Sequence, residues 1–90
     1  MITIQAAIDT ATEEGFTITT DYLISDGPCR MRKRVFYVKH KASGLVVAVR
    51  QVHGGSKTWD VDGDRGTRAQ MIIEAMRKTK KHLNEAWEGA

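Results

Sequence analysis

Hydrophobic residues change period twice along these 90 residues, and that change most constrains the fold. Ile4, Ala7, Ile8 and Ala11 fall at i, i+3, i+4 and i+7, the spacing of one helical stripe. In Phe16 to Ile24, Arg34 to Ala42 and Leu45 to Val52 the spacing is two, the period of strands. From about Arg65 the helical period returns, with Ala69, Ile72, Ile73, Met76, Leu83, Ala86 and Trp87 on one stripe. Gln70, Glu74, Arg77, Lys78, Lys81 and Glu85 lie opposite. Helix, strands, helix is the grammar of an α+β chain, and 90 residues leave room for one core. The expectation is a single α+β domain over residues 1–90: an antiparallel β-meander of three to four strands, flanked by a short N-terminal helix and a long C-terminal helix, in the order α-β-β-β-β-α.

Local signals set the boundaries. Thr3 can cap a helix over Ile4 to Glu14, and Gly15 stands where a helix-ending glycine belongs. In Phe16 to Ile24, residues Phe16, Ile18, Thr20, Tyr22 and Ile24 share one strand face. Ser25-Asp26-Gly27-Pro28 is a turn. Arg34 to Ala42 and Leu45 to Val52 form a hairpin. A two-residue turn at Ser43-Gly44 pairs Ala42 with Leu45, His40 with Val47, Val38 with Val49 and Phe36 with Gln51, leaving Tyr37, Lys39, Lys41 and Arg50 on the other face. A three-residue turn would mix apolar and charged residues on both faces. His53-Gly54-Gly55-Ser56 is a further turn, Lys57 to Val61 a short strand, and the long helix runs from about Arg65 to Glu88.

Charge is unevenly distributed. The net charge is +3, but residues 1–26 carry five acids and no Lys or Arg, residues 27–59 carry eight bases and no acid, and residues 60–90 balance. The bases and the aromatic among them (Arg30, Arg32, Lys33, Arg34, Tyr37, Lys39, Lys41, Arg50 and Lys57) form the candidate binding surface. A basic β-surface suits phosphate contacts, with base stacking on Tyr37, and a two-stranded ribbon fits a DNA major groove. An acidic protein surface is a second partner class. Lysines that merely keep a strand edge solvated are the third reading. The cluster Arg77, Lys78, Lys80, Lys81 ranks below the hairpin, because Glu74 can pair with Lys78 and Lys81 with Glu85.

Catalytic and metal chemistry find little footing. Asp60-Val61-Asp62-Gly63-Asp64 starts like a calcium loop, but the sixth position is Arg65 and the twelfth Met71, where glycine and glutamate are required. A turn aspartate capping the long helix is the expected role. Gly54-Gly55-Ser56-Lys57 leads toward a strand, unlike a phosphate-binding loop. The single cysteine, Cys29, excludes an internal disulfide and a cage of several thiolates. Cys29, His40, His53 and His82 show no nucleophile–base spacing. His40 reads as packed on the inner face, His53 as a turn residue, His82 as helix surface, and Trp59 and Trp87 as core. No enzyme, cofactor or metal is expected. The N-terminal segment has neither a basic start nor an apolar run, and no stretch is long enough to span a bilayer, so the expectation is a cytoplasmic protein without a membrane partner.

The helix–sheet–helix order resembles that of double-stranded RNA-binding domains. Gly27-Pro28 followed by bases, and Val35-Phe36-Tyr37-Val38, are similar to their first inter-strand loop and second strand. The chain departs from them in carrying only Arg65 and Arg68 at the start of the last helix, after three aspartates, and in the extra strand around Trp59. It is not assigned to that family. The small DNA-binding domains of integrases, a three-stranded sheet plus a helix, offer a second likeness of order alone. The functional expectation is a small non-catalytic nucleic-acid-binding or regulatory protein whose basic hairpin contacts phosphates. The alternative is a phage or mobile-element inhibitor or adaptor, anti-CRISPR-like or host-takeover in kind, that binds a host protein complex. A homodimer through the C-terminal helix is compatible with either.

Overall fold

A computed structural model describes residues 2–25 and 32–88, with side chains at all of these except 25 and 86–88. Cys29 and the Asp26-Gly27-Pro28 part of the expected turn lie outside the described residues, as does the side chain of Trp87. The class is α+β, as the periods imply. Helix α1 (Ile4–Glu13) is followed by six strands, β1 (Phe16–Ile18), β2 (Tyr22–Ser25), β3 (Arg32–His40), β4 (Val46–Gln51), β5 (Trp59–Val61) and β6 (Asp64–Gly66), and then by helix α2 (Arg68–Glu88). The strands form one antiparallel sheet in which β1 and β2 lie end to end along β3, and β4, β5 and β6 follow in chain order. Two strands exceed the four expected, each for an identifiable reason.

The first expected strand is broken by a bulge. Phe16, Thr17 and Ile18 face His40, Lys39 and Val38, and the Thr19 N–H donates to the Tyr37 carbonyl at 3.1 Å. The Thr19 hydroxyl in turn accepts the Tyr37 N–H at 3.0 Å. Tyr22 then pairs with Val35, so three residue steps on one strand match two on the other. One extra residue reverses the alternation. Tyr22 and Ile24 therefore turn to the face opposite Phe16, correcting the single-face expectation.

The hairpin register also differs. Val38 pairs with Val47 and Phe36 with Val49, two residues away from the expected pairing. A two-residue turn of the tightest type needs positive φ at both positions. Among the described residues only Asp62 and four glycines adopt it, and Ser43 does not. The closing pair is instead His40 with Leu45, spanned by four residues with Gly44 at φ +77°. The Ser43 hydroxyl accepts from the Leu45 N–H at 3.2 Å and lies 2.7 Å from His40 Nδ1. A shift of two leaves every side chain on its expected face.

The last strand, β6, replaces the expected start of the long helix. Asp62 and Gly63 take φ of +49° and +92°, and Val61 pairs with Asp64 across them. This is the Asp-Gly hairpin signal, set among aspartates that also suit a helix approach. None of those aspartates caps α2: Asp60 accepts from the Gly63 N–H at 3.3 Å, and Asp64 pairs with Lys78 at 2.8 Å. The cap is Thr67, whose hydroxyl accepts the Gln70 N–H at 3.2 Å while Gln70 Oε1 accepts the Thr67 N–H at 2.9 Å. That reciprocal pair is a capping box.

Both helices pack on one face of the sheet. Phe16, Phe36, Val38, Val49, Trp59 and Val61 meet Ala7 and Ala11 of α1 and Ala69, Met71, Ile72, Ala75 and Met76 of α2. Alanines on α1 let the helices approach closely, and Glu14 at its end pairs with Lys80 of α2. Met71, Ala75 and the buried Thr79 join the stripe read from the sequence, whereas Ile4, expected inside, is 49% exposed. Burying a ring such as that of Phe36 contributes roughly 2–3 kcal/mol. The half-buried His40 ring packs 5.0 Å from that of Phe16.

At the open end of this core, Asp21 in the bulge accepts both arms of the Arg68 guanidinium, at 3.0 and 2.5 Å. The same guanidinium lies over the rings of Phe36 (4.7 Å) and Trp59 (5.1 Å). The bulge thus fixes Asp21 on the helix side while it turns Tyr22 outward.

Candidate nucleic-acid interface

No described element covers the outer face of the sheet. Antiparallel pairing arranges its side chains in rows across the strands. One row runs Tyr22, Val35, Arg50, Asp60 and Arg65, from β2 to β6. The next is Thr19, Tyr37 and Ala48, and beyond it come Thr17, Lys39 and Val46. Ile24 and Lys33 form the row on the other side. The face is a strip of aromatic and aliphatic side chains flanked by cations.

The nine residues expected to bind are divided by this geometry. Lys33, Tyr37, Lys39 and Arg50 lie on the outer face, and Lys41 opens the loop at its end. Arg34 is turned to the helix side, where it pairs with Asp21 at 3.5 Å. Arg32 alternates to that same side and is exposed. Lys57 rims a cleft on the helix side together with Arg34, Trp59 and Arg68. Arg30 lies outside the described residues. The expected continuous basic surface is thus two surfaces, because consecutive residues of β3 point to opposite faces.

Two further outer-face side chains suited to binding lie outside those nine. Arg65 comes to the row through β6 and sits 3.5 Å from Asp60. Tyr22 comes to it through the bulge, with its ring 6.0 Å from that of Tyr37 at 57°. Arg65 could have been found from the Asp-Gly turn. Tyr22 could not, since the period-two pattern runs through the bulge without a break. Between Lys33, Arg50, Asp60 and Arg65 lies a shallow hollow of about 230 Å³, lined also by Gln51 and Val52.

Electrostatic compensation separates this face from α2. Arg77 pairs with Glu74 at 3.0 Å rather than leaving Glu74 to Lys78, Lys78 pairs with Asp64, Lys80 with Glu14, and Lys81 with Glu85 at 4.0 Å. The Lys78 ammonium donates to Asp64 and holds its carboxyl below the ordinary aspartate range, and Lys78 is raised in return. Among the described residues, Lys39, Lys41 and Arg50 make no such pair.

Comparison with family profiles, with curated proteins and with solved structures finds no match for this chain. Among the described residues, no helix is long and apolar enough to cross a membrane.

Proposed function

We propose that this chain is a non-catalytic nucleic-acid-binding protein that holds phosphates against the outer face of its sheet. The observation that carries the reading is the contrast in compensation: every cation in the α2 cluster has a carboxylate, whereas Lys39, Lys41 and Arg50 stand uncompensated on an uncovered face. Phosphate contacts need cations that are not already spent on carboxylates. Lys39, Lys41 and Arg50 supply that charge from β3, its loop and β4, and Lys33 and Arg65 lie on the same face, around a hollow they share with Arg50 and Asp60.

Salt dependence tests this directly. With Lys39, Lys41 and Arg50 engaged, log affinity falls against log salt with a slope of roughly −2 on a single strand and −3 on a duplex. Lys39→Glu and Arg50→Glu each weaken binding and flatten the slope, while Arg77→Glu on α2 changes neither by much. A slope near zero, or equal losses from Arg77→Glu and Lys39→Glu, refutes the reading.

A further inference from the structure

Resting on that reading, we infer that the bound nucleic acid is single-stranded, with unpaired bases stacked on Tyr22 and Tyr37. The two tyrosines come from different strands and are brought together by the bulge at 19–21. They remain 52% and 37% exposed, while Val35, between them on the same face, is buried. The pair is therefore seated on an apolar base and presents its upper surface to solvent.

Two cations neighbour Tyr37, one along β3 and one across on β4. Lys39 follows Tyr37 by two residues along β3, about 6.6 Å at the rise of an extended strand. Arg50 faces Val35 from β4, diagonal to Tyr37 and two strands from Tyr22. An aromatic ring among cations offers a base a stacking surface and its phosphates counter-charges, an arrangement that tolerates any sequence. A duplex cannot use it, because the faces of paired bases are already stacked on one another. Tyr22 on the edge strand β2 and Tyr37 on its neighbour β3 also lie away from the 41–45 loop that a groove would admit. Stacking on this face therefore selects for unpaired bases, whereas cations alone would bind either form.

The test is fluorescence anisotropy of the full chain with a labelled single strand of about a dozen nucleotides, as DNA and as RNA, each also annealed to its complement. The single strand binds about tenfold more tightly than the duplex at the same salt. Tyr37→Leu lowers single-strand affinity about tenfold, toward the lower end of what one stacked base contributes, and leaves duplex affinity unchanged. Tyr37→Phe keeps the ring and retains binding. Tyr22→Leu, at the more exposed ring, repeats the loss if Tyr37→Leu perturbs folding. Equal or tighter duplex binding, or full single-strand affinity in both leucine variants, overturns the inference and leaves the phosphate-binding reading standing. Binding of neither form overturns both.

Discussion

Replacing Asp21 with asparagine removes one charge and little volume, at the point where the bulge, the sheet and α2 meet. Asp21 is 16% exposed and Arg68 29% in their side chains, so the pair is neither solvated nor sealed. An exposed ion pair contributes about 0.2–1 kcal/mol. Breaking a fully buried one costs about 3–5 kcal/mol, because the partner charge is stranded. The two hydrogen bonds at 3.0 and 2.5 Å form a bidentate fork, and Arg34 stands 3.5 Å away as a second cation that loses its carboxylate. Intermediate burial with two cations affected places Asp21→Asn at about 2 kcal/mol. For a domain of this size that lowers the melting temperature by roughly 8–16 °C. Arg68→Ala costs more, about 3 kcal/mol, since it also removes the cation from over Phe36 and Trp59. Urea titrations of the wild type, the two single variants and the double variant give the coupling between the residues from the shift in midpoint at constant slope. A loss under 0.5 kcal/mol for Asp21→Asn, or additive losses in the double variant, would show that the fork does not hold the bulge in place.

Gly63→Ala strains the β5–β6 turn, where φ is +92°, by about 1–2 kcal/mol, measurable as a lower urea midpoint. Gly66→Ala puts a methyl 2.5 Å from Gln70 Oε1 and 3.1 Å from Met71 Cε; the Gln70 side chain must then leave the Thr67 N–H, and the lost cap costs about 1 kcal/mol in the same titration. The Asp64–Lys78 pair sets a pH dependence. Because the Asp64 pKa is lowered on folding, its contribution is complete above the unfolded value and is lost as pH falls below about 4. Lys78 is raised, so the opposite limb is lost as pH climbs past about 10.4. Urea midpoints of wild type and Asp64→Asn therefore differ near neutrality and converge in acid; a constant difference across pH would contradict the pairing.

Much of this fold is legible in the chain because period and capping are local. Thr3 and Gly15 bound α1 as expected, and the hairpin faces are right even though its pairing is shifted by two residues. What escaped depends on the third dimension. The bulge leaves no mark on the alternation of Phe16 to Ile24, because it is fixed by Thr19 bonding to Tyr37 and Asp21 bonding to Arg68, 18 and 47 residues away. The expected binding residues are neighbours in sequence, and strand alternation sends Arg34 to one face and Lys33 to the other. Asp60, Asp62 and Asp64 read as a helix approach because acids before a helix are common, but Asp-Gly at 62–63 demands a tight hairpin.

The central claim, that the outer face of the sheet is where nucleic acid binds, is tested most directly by amide and side-chain NMR shifts of the labelled protein as an unlabelled single strand is added. The account predicts that the largest changes fall on Tyr22, Lys33, Tyr37, Lys39, Arg50 and Arg65, while Ala7, Arg77 and Lys81 stay still. Changes concentrated on α1 and α2, or none at saturating strand, would contradict it.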